Sequence, residues 1–428
     1  MQNHVRRLAA RPVMLWLVFL AVHLWLGYDG LTHPGLPFGD VTNVYLPWVE
    51  QSLDGYRLGI DGPWVYPVLA FLPMLASLVL GADLYGVGWM LVVTVANAAV
   101  FSFLIAGARE TSAAGWLRIV AAWWWLAFLL LVGPVAVGRI DVFTVALAIV
   151  GLLLARNRPA VAGVLLGLAT WVKVWPAVLI AAAVVAVRRR LRFAVAAAST
   201  LVAVAAGALA AGGGLNVFSF VTEQTGRGLQ VESPVSTIWM WLARASDPSR
   251  VYYDFDILTF QVSGPGSDVA AAVMTPLLVV AVLAVLVIAV LVTASGASPT
   301  SVLPPLSLAL VMALIVFNKV GSPQFMVWIA APVILGIVTQ GRRFQVPALL
   351  AFVMAGLTQV IYPIAYDWLL YLDPVMLVVL TVRNTLSIAL LVIAVRMLWK
   401  SRKPTTLGDE HAGGFLGGSL RGLLPRNR

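Results

Sequence analysis

Seven ionisable side chains sit at the ends of apolar runs in this sequence: Asp40, Arg139, Asp141, Lys173, Arg227, Glu232 and Lys319. They come from at least five separate segments, and the run directions put all of them on one side. Charge at membrane depth is costly, so each needs a partner or a task. A single one is accounted for by local pairing or by a long side chain reaching the headgroups. Four cations together (Arg139, Lys173, Arg227, Lys319) stand on the side that the positive-inside rule disfavours. They require an anion, and a phosphate at the membrane surface supplies one. Lys173 and Lys319 share a pattern, because each follows a long apolar run and precedes a proline that opens the next helix, Pro176 and Pro323. In FNKVGSPQF the turn ends one helix and begins another, so Asn318, Lys319 and Gln324 project from a fixed backbone; the plainer reading is a helix–helix turn with a solvated lysine.

Asp40 has two readings. The Asp-Val-Thr-Asn context fits an N-cap for a short interfacial helix over 41–54, and a rigidly held carboxylate fits a general base. Asp29, Asp54 and Asp61 in the same loop are rivals as solvated carboxylates. The loop aromatics Tyr45, Trp48, Trp64 and Tyr66 fit an interfacial belt or a platform for a sugar ring. Glu232, Tyr45, Trp64 and Tyr66 are therefore candidate pocket residues with Asn318 and Gln324. Trp123, Trp124 and Trp125 are mid-span and read as packing or lipid-facing.

The elements that must hold these residues are membrane helices. The 428 residues are 61% hydrophobic and only 11% charged, with a mean hydropathy of +0.95. A spanning helix needs about 20 largely apolar residues, and many such runs occur. The runs are continuous, not alternating, which excludes a β-barrel. The fold class is all-α: a polytopic bundle of roughly 12 spans. Runs near 12–28, 84–107, 116–135, 141–155, 160–174, 175–187, 193–212, 269–293, 303–317, 323–340, 345–362 and 374–398 are the spans. Segment 66–80 is too short to cross and reads as partial or re-entrant. Basic residues at 6–11, 109–118, 156–158, 188–192, 342–343 and 400–403 mark the cytoplasmic side and place both termini there. Loops 29–65 and 213–268 then face outward. Residues 1–400 form one domain, and 401–428 read as a disordered cytoplasmic tail.

No cysteine is present, which removes disulfides and thiolate chemistry. The four histidines have no ligand spacing, so no metal site and no cofactor are expected. The net charge of +10 lies at span ends and does not point to nucleic acid. No internal repeat is visible, which counts against an inverted-repeat transporter.

Three stretches carry a family resemblance. WVYPVLAFLP (64–73), after the loop bearing Asp40, resembles the first outer loop of the GT-C glycosyltransferases. RNRPAVAGVLLGLATWVKVWPAVLIAAAVVAVRRRLR (156–192) resembles bacterial polyprenyl-phosphate-mannose-dependent α-mannosyltransferases. FNKVGSPQFMVW (317–328) is similar to a segment of the first GPI-anchor mannosyltransferase. The acidic pair usual in that family's first loop is not plainly present, since Asp40 is followed by Val-Thr-Asn. The resemblance implies an envelope glycosyltransferase of the plasma membrane, working on the extracytoplasmic face with inversion. Its partners would be a polyprenyl-phosphate-sugar donor, a glycolipid or glycan acceptor and membrane lipid. Asp40 would be the base, and Lys173, Lys319, Arg139 and Arg227 would hold the donor phosphate. The sugar is mannose or, equally compatible with the residues, arabinofuranose. A flippase of a lipid-linked sugar is the competing class; the large asymmetric outer inserts favour the enzyme.

Overall fold

A computed structural model describes residues 10–106, 108, 112–223, 226–245 and 248–403. The basic residues Arg6, Arg7 and Arg109, and all but the first residues of the tail, lie outside them.

The chain is a helical bundle. Helix α1 (Pro12–Thr32) leads to a π-helical turn (Val41–Tyr45) and α2 (Leu46–Leu53). The short apolar α3 (Val68–Leu80) follows, then α4 (Tyr85–Ile105), α5 (Ala113–Val132), α6 (Asp141–Leu154), α7 (Pro159–Val172), α8 (Ala177–Ala186) and α9 (Arg190–Ala210). An insert carries β1 (Leu229–Gln230), α10 (Thr237–Ala245), β2 (Arg250–Asp254) and β3 (Thr259–Ser263). The last helices are α11 (Ser267–Ala294), α12 (Pro299–Val316), α13 (Ala330–Gln340), α14 (Gln345–Gln359), α15 (Tyr366–Leu370) and α16 (Pro374–Trp399). Eight helical stretches among the described residues are long and apolar enough to cross a membrane, and four shorter apolar helices accompany them. The expected helical membrane bundle is therefore present, and the segment read as partial is the short α3.

Proline at the first turn opens α1, α7, α12 and α16, where its missing N–H leaves no helix bond unmade. Helix α12 is the axis of the bundle: 78% of its most apolar window is buried, against 17% for α9 and α11, whose apolar surfaces face outward to lipid. The mid-span tryptophans divide accordingly. Trp124 and Trp125 are buried, and Trp124 stacks on Phe128 and Phe352.

The two ends of the bundle differ in chemistry. At one end Arg343 donates to the Met397 carbonyl, Gln340 to the Thr300 carbonyl, and Ser401 to the Ser301 carbonyl. The 29–84 loop, the 133–141 turn, Lys173, the 213–266 insert and the 317–323 turn gather at the other. One departure from an all-helical reading lies there: the insert folds its strands into an antiparallel sheet of order β1-β3-β2, with Tyr252 opposite Gln261. Strands this short carry too little alternation to be read from sequence.

Candidate active site

Asp40 and Arg139 meet where two backbones touch. A Cβ on Gly138 would lie 3.0 Å from the Pro37 carbonyl oxygen and closer still to the Phe38 ring, so only glycine lets the 133–141 turn press against the first loop. That contact brings Arg139 Nε to 3.0 Å from Asp40 Oδ2, while Arg139 Nη1 donates to the Pro37 and Gly138 carbonyls. The Asp40 side chain is 37% exposed and the Arg139 side chain 8%. The carboxylate is therefore reachable, and its partner is not. Burial opposes the Arg139 charge, but Asp40, Tyr362 and Tyr45 more than offset it and raise its pKa. The capping expectation for Asp40 is overturned. Its backbone is already helical and its side chain caps no N–H, because helical structure begins at residue 39 and Arg139 draws the carboxylate sideways.

Asp141 and Lys173 form a second pair. Asp141 stands at the first position of α6 and is fully buried. Lys173, at the end of α7, donates to Asp141 Oδ2 at 2.7 Å, and Trp328 Nε1 donates to Oδ1 at 2.6 Å. Trp328 stacks on Trp175, whose indole donates to Thr144, and Thr144 donates to the Asp141 carbonyl. The ammonium also lies over the rings of Tyr66, 5.5 Å away, and Phe325, 5.8 Å away. Burial works against the Lys173 charge; Asp141 and Tyr66 outweigh it, so its pKa is raised.

The four loop aromatics do not form a lipid-facing belt. Trp64 packs edge-on against Trp48 and Tyr66, and Tyr45 packs against Trp48 and Tyr66. Tyr45 and Trp64 are buried, so their rings hold the loop together, and only Trp48 and Tyr66 keep part of their surface open. The Trp64 backbone N–H donates to Ser219 Oγ, which ties the first loop to the insert. Tyr66 feels the charges of Lys173, Asp40 and Asp141 together, so its phenol stands between the two pairs; burial raises its pKa.

The other cations come from the insert and the 317–323 turn. Asn318 Oδ1 accepts from the Val320 N–H, an Asx turn that shapes the backbone, while Pro323 opens a 3-10 helix over Pro323–Ile329 with Gln324 half-buried. Gln230 knits this turn to β1: its N–H donates to the Lys319 carbonyl, and its Oε1 accepts from the Gly321 N–H and the Ser322 hydroxyl. Gly321 lies so close to the Glu232–Ser233 backbone that a side chain would collide with it. Lys319 is thereby brought beside Arg227. Burial first, and then the Arg227 charge, lower the Lys319 pKa; burial lowers that of Arg227, whose Nε is buried without a partner. Arg227 also lies near the Tyr66 phenol. Glu232 is held apart, in a polar knot with Arg383 of α16.

An apolar groove of about 530 Å³ runs between α3, α4, α6 and α7, lined by Leu69, Leu72, Phe103, Phe143, Val150 and Val172 among others. Val172 precedes Lys173, Phe143 lies two positions after Asp141, and Leu69 three after Tyr66, so the groove is lined in part by chain neighbours of the Lys173 site. Its volume is in the range of small-molecule pockets.

Residues 64–249 match a family model described as glycosyltransferase family 87. This is a family of membrane glycosyltransferases of the GT-C type, and the match supports that class for the chain. The matched stretch contains Trp64, Tyr66, Arg139, Asp141, Lys173, Arg227 and Glu232, and excludes Asp40 and Lys319. No curated protein matches the chain.

Sequence reasoning thus named most of a constellation that the fold does assemble: Asp40, Arg139, Tyr45, Tyr66, Lys173, Arg227 and Lys319. Asn318 turns out to shape the turn, and Glu232 to lie behind it. Asp141 was counted among the charges but given no role; its place next to a helix start was the available signal. Arg383, a guanidinium inside VVLTVRNTLSIALL, was also legible, because an intramembrane arginine marks a functional or packing site.

Proposed function

We propose that this end of the bundle transfers a sugar, mannose, from a polyprenyl-phosphate donor to an envelope glycolipid or glycan with inversion at C1. The observation that carries the reading is the Lys173 ammonium over the Tyr66 ring, within the electrostatic reach of the exposed Asp40 carboxylate, with an apolar groove lined by the chain neighbours Val172 and Leu69. A prenyl chain fits an all-apolar groove, and its phosphate then arrives among cations. Asp40 takes the proton of the acceptor hydroxyl as the new C1–O bond forms. The bond between C1 and the phosphate oxygen breaks, and the oxygen leaves with the electron pair. Negative charge grows on the departing phosphate, where Lys173, Arg227 and Lys319 stabilise it. Arg139, engaged by Asp40, two carbonyls and the Tyr362 hydroxyl, orients the base and has little left to offer the phosphate.

Arg227 and Lys319 support the phosphate assignment independently. The Arg227 charge weakens the hold of Lys319 on its proton, and an anion beside the two cations offsets that repulsion. Mannose rests on the likeness of 156–192 and 317–328 to mannosyltransferases; arabinofuranose is the alternative sugar. The basic residues at the opposite end support reading this site as extracytoplasmic, in the plasma membrane with both termini inside.

The test uses purified protein in detergent, radiolabelled polyprenyl-phosphate-mannose and envelope lipid extract. Micelles have no second compartment, so a flippase yields no new compound. Label appearing in a new glycolipid or glycan supports the reading; label recovered only in the donor, with both sugars tried, overturns it.

A further inference from the structure

Behind the candidate phosphate site lies an ionic pair that the proposed reaction does not use. Glu232 and Arg383 are each about 1% exposed, with Arg383 Nη2 3.6 Å from Glu232 Oε2 and 3.0 Å from the Glu232 carbonyl oxygen. The pairing is loose: Glu232 Oε2 and Arg383 Nε have no hydrogen-bond partner. Asn384, the next residue of α16, donates to the Ser233 carbonyl and to Thr237 Oγ1. A buried ion pair is a poor source of stability compared with apolar packing, so its presence asks for another reason.

What the pair grips is the stretch 230–237, and that stretch grips Lys319. Gln230 bonds the Lys319 carbonyl, the Gly321 N–H and Ser322, and the Gly321 backbone is pressed on Glu232 and Ser233. Arg227 enters the site three residues before Gln230. A second contact runs the other way. Tyr366 hydrogen-bonds Glu232 and packs edge-on against Tyr362, 5.1 Å away, which lies beside Arg139.

We propose that Glu232 and Arg383 are positioning residues for the donor phosphate: they lock β1 against α16 and through it set Lys319 and Arg227. The proposal rests on the phosphate reading above. A pair that acts through Lys319 has a signature that a merely structural role lacks, namely energetic coupling to Lys319 but not to Lys173. The groups facing Glu232 are Arg383 from α16, Tyr366 from α15 and Tyr362 from the π-helical turn Val360–Ile364 that follows α14.

The probe is methyl farnesyl phosphate, a phosphodiester whose charge does not change near neutrality, with affinity measured on the full chain in detergent. Arg383→Gln is expected to weaken binding about tenfold, and Lys319→Ala by a similar factor. The double variant should be no worse than about threefold beyond either single one, whereas Arg383→Gln with Lys173→Ala should multiply. Arg383→Lys should recover most of the loss. If Arg383→Gln does not fold, Glu232→Gln carries the same cycle with a smaller effect. Unchanged affinity in a folded variant, or full additivity with Lys319→Ala, overturns the proposal. Failure of the wild-type protein to bind the probe overturns the phosphate reading as well, and is told apart by that result alone.

Discussion

The two halves of the candidate site treat charge in opposite ways. In one, every cation has its acid: Arg139 with Asp40 at 3.0 Å, Lys173 with Asp141 at 2.7 Å. In the other, burial weakens the hold of both Arg227 and Lys319 on a proton, and the Arg227 charge weakens that of Lys319 further. The paired half is preorganised without ligand, which suits a base and the groups that aim it. The cationic half gathers two positive charges of like sign, which suits a leaving phosphate. The contrast teaches that four outward cations are not four equivalent clamps.

Breaking the paired half should cost most. Asp141→Asn leaves Lys173 buried without its carboxylate, and removing one member of a buried pair costs about 3–5 kcal/mol. A fall in Tm well beyond that of the loop variant Asp54→Asn, together with loss of activity, is expected; a wild-type Tm would show that the pair is not structural. In the cationic half, Lys319→Ala should leave Tm nearly unchanged. It should lower kcat/KM by roughly tenfold to a hundredfold, and Lys319→Arg by less. Steady-state kinetics check this, and equal damage from Arg and Ala would deny a role to charge.

A pH series sharpens the comparison further. Burial, offset in part by Arg383, pushes the Glu232 carboxyl up to about 7. Its folded value lies above its unfolded one, so folding favours the protonated form. That contribution is full at pH below the ordinary carboxylate range and is lost as pH rises through about 7. Thermal unfolding in detergent should show Tm falling between about pH 5.5 and 7, by about 1–2 kcal/mol in stability, and levelling off above, and Glu232→Gln should flatten the slope. A flat wild-type profile contradicts the assignment. The smallest effect belongs to Tyr362→Phe, which removes a hydroxyl bonded to the Leu36 carbonyl beside Arg139. About 1 kcal/mol or less is expected, read as a severalfold drop in kcat with the donor KM preserved.

Much of this was legible because charges are rare in the chain. Each of Lys173 and Lys319 ends an apolar run before a helix-opening proline, and both stand at the end of the bundle that the run directions imply. The short α3 was legible from length alone. The pairings were not, because Asp40 and Arg139, or Asp141 and Lys173, lie in different elements and only packing joins them. Phe38 against Gly138 is what aligns the first pair, and nothing local in either segment specifies that contact. The capping expectation failed for the same reason: a local rule for Asp40 was overridden by an arginine from a distant turn. The aromatic belt failed because Trp64 and Tyr45 are buried against Trp48 and Tyr66 instead of facing lipid. The sheet in the insert was hidden by strands of two and five residues.

The central claim is that Asp40 is the base and that the cations bind donor without it. The direct measurement is a paired one on Asp40→Asn: affinity for a prenyl phosphodiester, and single-turnover transfer of radiolabelled mannose at saturating donor. We expect affinity within about threefold of wild type and transfer reduced by roughly 10²–10⁴-fold. Transfer at the wild-type rate, with the donor still bound, would contradict the account and leave Asp40 as no more than the partner of Arg139.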